Sequence, residues 1–258
     1  MSTVFTFPRI GGKALIAPRL IKTFPRGFTE YREPFVGGGT VALNLMRLYP
    51  KAKYWLNDLY PPVWAWWDNL KTRPMEMIAR LLELKHGMEK RELFQFCKET
   101  IDTACPFEQG CMQFILSRTT WGGAGLRGGY SPNKNRLTDG SIIGLAEPAN
   151  IIAEVDVQIT NMDYSECLGG DGEVFIFADP PYLLERSDLY GGANGELHKN
   201  FSHSRFAEKM RNCSHHWAIT YNDDNQIRRM YAEYEFLTFD LWYGSGNKRG
   251  SELLIKNY

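Results

Sequence analysis

Both ends of this 258-residue chain read as alternating strand and helix, while the middle reads as helix alone, and that change of hydrophobic period divides it into three. Residues 31–35 form a short strand, 36–40 a glycine turn, 41–49 a helix stopped by Pro50, and 53–57 a second strand. The pattern resumes after residue 150, with strands at 155–160, 173–178, 217–221, 236–241 and 252–256 and helices near 202–212 and 223–232. From 61 to 117 the apolar residues recur at helical spacing, as in Met77, Ile78, Leu81, Leu82 and Leu84, and strand signals are missing. The architecture implied is a doubly wound α/β sheet built from 1–60 and 150–258. A small helical insertion, 61–149, interrupts it and carries a glycine-rich basic hairpin at about 118–137.

Composition narrows the function. A chain that is 43% hydrophobic and 23% charged folds, and 30 basic against 30 acidic side chains exclude a surface that is basic all over. Nucleic acid can then be held only by a local patch, and 118–136 supplies one: Arg118, Arg127, Lys134 and Arg136 with no acidic residue among them. No apolar run has the length a bilayer requires and residues 1–13 lack the apolar segment of a signal peptide, so a cytoplasmic protein away from membranes is expected. The five cysteines form no C-x-x-C and the five histidines no metal-ligand spacing, which predicts reduced, structural thiols and no metal.

Three segments carry chemistry. In Glu33-Pro-Phe-Val-Gly-Gly-Gly-Thr-Val-Ala42, Gly37 and Gly39 let the backbone approach a ligand beside a helix N-terminus. The relaxed G-x-G-x-x-A spacing also fits a dinucleotide site or a tight turn with no ligand. Asp58 ends the second strand, where a carboxylate can accept both hydroxyls of a ribose or simply cap the helix that follows. The third segment, Asp179-Pro180-Pro181-Tyr182, follows the very apolar strand at 173–178, at the sheet edge where open α/β proteins bind ligands. Two consecutive prolines hold that chain extended and remove two donors, leaving an acceptor array beside an aromatic face. Asp179 and the Pro180 carbonyl can each accept an N–H from an exocyclic amine while Tyr182 stacks on its ring.

With these segments in view, the sequence resembles the Dam-like (D12, α-type) DNA adenine-N6 methyltransferases. Residues 33–41 resemble that family's cofactor loop E-P-F-V-G-x-G-[ST]-V, Gly11-Gly12-Lys13 its G-G-K segment and Asn57-Asp58 its ribose-binding turn. Asn161 to Tyr164 resembles the segment that holds the cofactor adenine, Asp179 to Tyr182 the catalytic D-P-P-Y, and 248–255 the closing segment with its E-[LV]-L strand. The resemblance implies a Rossmann-like methyltransferase sheet that moves a methyl group from S-adenosylmethionine to the N6 amine of a flipped adenine in double-stranded DNA, leaving S-adenosylhomocysteine. It implies Asp179, Pro180, Pro181 and Tyr182 as catalytic, and Arg9, Lys13, Phe35, Gly37, Gly39, Thr40, Asp58, Asp163 and Tyr164 around the cofactor, with Lys13 near its carboxylate. DNA would be met by Arg118, Trp121, Arg127, Tyr130, Lys134, Arg136, Lys248 and Arg249, with base reading from Arg127. Arg9 stands where relatives carry an aromatic ring, and Gly123 where GATC-specific members present an arginine. The loop at 183–202 reads as a lid, and a bacterial or phage-encoded monomer is the expectation. The same residues leave room for methylation of cytosine N4 or of RNA adenine, for an NAD(P)-dependent oxidoreductase, and for an inactive DNA-binding module.

Overall fold

The computed structural model describes residues 12–183, 200–243 and 248–258, and within these the side chains of Lys134, 241–243, 248 and 249 are excepted. Arg9, the greater part of the expected lid (184–199) and the side chains of Lys134, Lys248 and Arg249 therefore lie outside the described residues.

Among the described residues seven strands form one sheet in the order β3-β2-β1-β4-β5-β7-β6. They are β1 (Glu30–Glu33), β2 (Lys53–Asn57), β3 (Asp156–Thr160), β4 (Val174–Ala178), β5 (His216–Asn222), β6 (Glu235–Tyr243) and β7 (Lys248–Lys256). The first five are parallel, and β7 runs antiparallel between β5 and β6. All five side chains of β4 are buried. Phe175 and Phe177 enter the apolar core on one face, and Val174, Ile176 and Ala178 the core on the other. This two-residue alternation with both faces covered is what makes a doubly wound sheet out of an uninterrupted apolar run.

The chain leaves β1 in one direction, through β2 to β3, and returns on the other side of β1 as β4. The crevice of such a sheet opens at this reversal, beyond the strand C-termini. The glycine turn after β1 and Asp179 after β4 both lie there.

The connection from β2 to β3 is helical: α3 (Pro61–Thr72), α4 (Pro74–Gly87), α5 (Lys90–Thr100), α6 (Pro106–Thr119), α7 (Asp139–Ile143) and α8 (Ala146–Ala153), with α1 (Ala17–Ile21) and α2 (Thr40–Leu48) earlier in the chain. Paired prolines open α3, where two missing donors leave no gap in the hydrogen-bond ladder. Helix α6 is buried on nearly every side. Gly110 permits that, because a Cβ there would stand 2.4 Å from Asn69 Nδ2 and 2.8 Å from the Ala65 carbonyl oxygen of α3. The apolar residues of this segment, Trp66, Trp67, Leu81 and Phe114 among them, continue without a break into those under the sheet, Tyr31 and Phe175. After β4, α9 (His203–Arg211) and α10 (Asn225–Met230) cover the other face.

Two expectations need correction. The hairpin at 118–137 is a loop closed by one antiparallel bridge, Thr120 to Tyr130, with single helical turns at Trp121–Gly123, Gly125–Arg127 and Pro132–Lys134. Gly122, Gly123 and Gly125 all take positive φ, which coils the chain too tightly for a strand ladder. The last strand begins four residues before the expected 252, so that Lys248 and Arg249 belong to β7, paired with Tyr243 and Trp242 of β6.

Candidate active site

The turn after β1 is held from three sides. The Val36 amide donates to the Asn57 carbonyl (2.8 Å) and the Gly39 amide to the Val36 carbonyl (2.7 Å). The Trp67 indole of α3 donates to the Gly37 carbonyl (2.9 Å). Gly37 and Gly39 have φ of 47° and 57°. A Cβ on Gly39 would lie 2.1 Å from Trp67 Cζ2, so this glycine answers to the buried indole as well as to the turn. Thr40, buried, opens α2 directly behind.

Asp58 closes the same turn, accepting from the Gly37 amide through Oδ2 (2.9 Å) and from the Tyr60 amide through Oδ1 (3.0 Å). Beside it the buried Asn57 ties three strand ends together. It donates to the Pro34 and Met162 carbonyls (3.0 and 2.9 Å) and accepts from the Thr160 hydroxyl and the Met162 amide (2.8 and 2.9 Å). Asp163 accepts from the Ser165 amide (3.0 Å) and hydroxyl (2.6 Å), and the Asn161 side chain donates to the Asp58 carbonyl (2.7 Å). Tyr164 packs its ring 5.5 Å from Phe35, and its buried hydroxyl has no hydrogen-bond partner among the described residues.

Asp179 emerges from β4 with both carboxylate oxygens engaged. Oδ1 accepts from the Thr220 hydroxyl of β5 (2.7 Å) and Oδ2 from Lys13 Nζ (2.7 Å). Lys13 also donates to the Tyr182 hydroxyl (2.9 Å) and to Glu252 Oε1 of β7 (2.9 Å), so each of its three N–H groups has an acceptor. Burial works against the Lys13 charge, yet Asp179 and Glu252 hold its pKa above the ordinary lysine value. Tyr182 lies 6.0 Å from the ring of Tyr221, whose hydroxyl is 2.9 Å from His203 Nδ1.

A further carboxyl, Glu33 at the end of β1, is buried and accepts from the Tyr31 hydroxyl (2.8 Å). Burial pushes its pKa up to about 8, despite the tyrosine bond that opposes the shift, and Asp179 adds to the rise. At neutral pH the cluster of Lys13, Asp179, Glu252 and Glu33 thus keeps one of its acids protonated. Glu33 and Glu252 stand in the motifs at 33–41 and 248–255, but neither they nor Thr220 were assigned a role from sequence; an acid in an otherwise apolar strand is the signal that could have drawn attention to Glu252.

On the helical side, Arg118 stands over the Phe114 ring at 5.1 Å, and burial together with Arg136 lowers its pKa to about 10. Trp121 is 56% exposed, Arg127 half-buried and Arg136 exposed. Tyr130 packs 5.5 Å from Phe94 of α5. Among the described residues no cluster of His, Cys, Asp and Glu is placed to hold a metal, and no helix is long and apolar enough to cross a membrane.

A glycine turn, a strand-end acid and a proline-stiffened acid gathered at the reversal of a Rossmann-like sheet define a methyltransferase fold. The chain matches the family of D12 class N6 adenine-specific DNA methyltransferases over residues 10–121 and 127–243, and it belongs to that family. It is also 24% identical over 270 residues to the Type II methyltransferase M.MjaIII of Methanocaldococcus jannaschii, an alignment covering 96% of this chain and 81% of the relative. Membership decides what the glycine turn left open: the protein is a DNA adenine methyltransferase and not an oxidoreductase.

Proposed function

We propose that this enzyme takes its methyl group from S-adenosylmethionine and places it on N6 of an adenine flipped out of a specific site in double-stranded DNA, acting as a monomer. The observation that carries the reading is the Asp179 carboxylate, pinned at Oδ1 by Thr220 and at Oδ2 by Lys13 at the edge of the crevice. Each oxygen keeps a lone pair for an incoming N–H.

The residues around the turn fit the cofactor. Asp58 retains acceptor capacity for ribose hydroxyls, Gly37, Gly39 and Thr40 present the start of α2, and Phe35 offers a ring. The buried hydroxyl of Tyr164 beside Asp163, which has no hydrogen-bond partner among the described residues, is a polar atom that a bound ligand would satisfy. When bound, the cofactor supplies an electrophilic methyl on a sulfonium. Toward the substrate, Asp179 and the Pro180 carbonyl accept the two N–H bonds of the amine, drawing its lone pair out of conjugation with the ring, and Tyr182 stacks on that ring. The Asp179 charge also favours the positive nitrogen that forms. Holding amine and methyl in line contributes strongly, since well-oriented reactants reach effective molarities on the order of 10⁵ M or more. Extrusion of the base costs a few kcal/mol, offset by contacts of the helical segment 61–149 with the duplex. There Arg127 reads a base edge, Trp121 meets the bases, and Arg118 and Arg136 hold phosphates.

The test is transfer of labelled methyl from S-adenosylmethionine to unmethylated genomic DNA, followed by nucleoside analysis and methylation-aware sequencing. N6-methyladenine in one sequence context supports the reading. Label in N4-methylcytosine overturns the base assignment, and label only in RNA overturns the substrate.

A further inference from the structure

Glu252, the acid of the closing segment 248–255, lies on β7 and far in sequence from Lys13 and Asp179, yet its buried side chain reaches the same ammonium as Asp179. Stability does not explain it, because apolar residues of equal volume commonly serve at least as well as a buried ion cluster. What the cluster does provide is a cation fixed in position. Lysine is a point charge on a flexible stem with three rotatable donors. Here Asp179, Glu252 and Tyr182 take one N–H each.

We propose that Glu252 is a positioning residue for methyl transfer, which through Lys13 holds the Asp179 carboxylate and the Tyr182 ring in the arrangement that receives the substrate amine; this rests on the function proposed above. Glu252 acts on Lys13 in two ways. It holds the ammonium between two strands, so that Nζ cannot swing away from Asp179. It also keeps Lys13 protonated against burial, and a protonated Lys13 donates to Asp179 without competing for the amine. Among the described residues the groups that face this ammonium are Asp179 and Tyr182 after β4 and Glu252 on β7, with Thr220 of β5 on the far oxygen of Asp179 and the buried carboxyl of Glu33 on β1, protonated at neutral pH, in the same cluster.

The test is Glu252→Gln, which keeps the shape and removes the charge. Three quantities are read against wild type: S-adenosylmethionine affinity by calorimetry, single-turnover methyl transfer to DNA between pH 7 and 9, and the titration of the Lys13 ¹³Cε resonance in cofactor-free protein. The expected result is cofactor affinity within about threefold, transfer slowed about 10- to 100-fold, by analogy with the loss of an outer partner that orients a metal ligand, with the deficit deepening toward pH 9, and a Lys13 titration moved to lower pH. An unchanged transfer rate, or a loss that follows weaker cofactor binding alone, overturns the proposal. If Glu252→Gln does not fold, the paired change Lys13→Met with Glu252→Met removes both charges, and wild-type transfer in that variant overturns it equally. A wild-type protein that transfers no methyl refutes the functional reading instead, while the Lys13 titration still tests the pairing.

Discussion

Replacing Gly39 by alanine puts the fit between turn and helix to a quantitative test. The new Cβ would stand 2.1 Å from Cζ2 and 2.5 Å from Cη2 of Trp67, at a backbone φ of +57°. The left-handed conformation alone costs an L-residue about 1–2 kcal/mol. Trp67 cannot easily yield, being fully buried, edge-on to Trp66 at 4.8 Å, and hydrogen-bonded to the Gly37 carbonyl at 2.9 Å. Overpacking of this kind adds about 1–3 kcal/mol, for a total of roughly 2–5 kcal/mol. Denaturant unfolding measures it, and a lower midpoint with an unchanged slope identifies a loss of stability as such. Adding Trp67→Phe removes both clashing atoms, so the double variant should recover the overpacking share, a coupling of about 1–3 kcal/mol. A Gly39→Ala cost below about 0.5 kcal/mol, within the range of an ordinary surface change, or no coupling to Trp67, would refute the argument that the indole dictates this glycine.

Other predictions concern charge. Asp179→Ala abolishes methyl transfer and leaves cofactor affinity nearly unchanged, because Lys13 keeps Glu252 as its counter-ion; retained turnover contradicts the amine-acceptor role. Glu33, with an ordinary value of 4.5 and about 8 when folded, is protonated in the native state and ionised in the unfolded chain between those values. Stability from this group is therefore complete below 4.5 and falls as pH rises toward 8, by about 3 kcal/mol between pH 6 and 9. Urea titrations across that range should show the decline in wild type and a flatter curve in Glu33→Gln; parallel curves contradict the assignment. On DNA, Arg127→Ala should cost about 1–3 kcal/mol of binding and relax preference at one base pair, whereas Arg136→Ala should weaken all sequences alike and lower the salt slope by about one. Equal effects of the two on every sequence contradict the division of roles.

The local features were legible because their causes are local. An apolar run that alternates between two cores, as Val174 to Ala178 does, must be a covered strand, and glycines ahead of a periodic helix must be a turn. Prolines after Ala178 stiffen whatever follows them. Glycine content at 122–125 was equally visible, but whether it made a hairpin or a series of single turns depended on φ values that the residue type permits and does not dictate. The ends of β6 and β7 extended past their apolar centres because pairing with a neighbour strand sustains backbone order where side chains give no signal.

Sequence by itself determined the alternation of strand and helix, the turn after β1, and the acid and prolines after β4, each written in contiguous residues. Only the tertiary structure joined Lys13 to Asp179, Glu252 and Thr220, or set Trp67 against Gly39. These partners are neighbours because the sheet reverses at β1 and inserts β7 beside β5. A charge buried in one segment leaves no local trace of the distant segment that neutralises it.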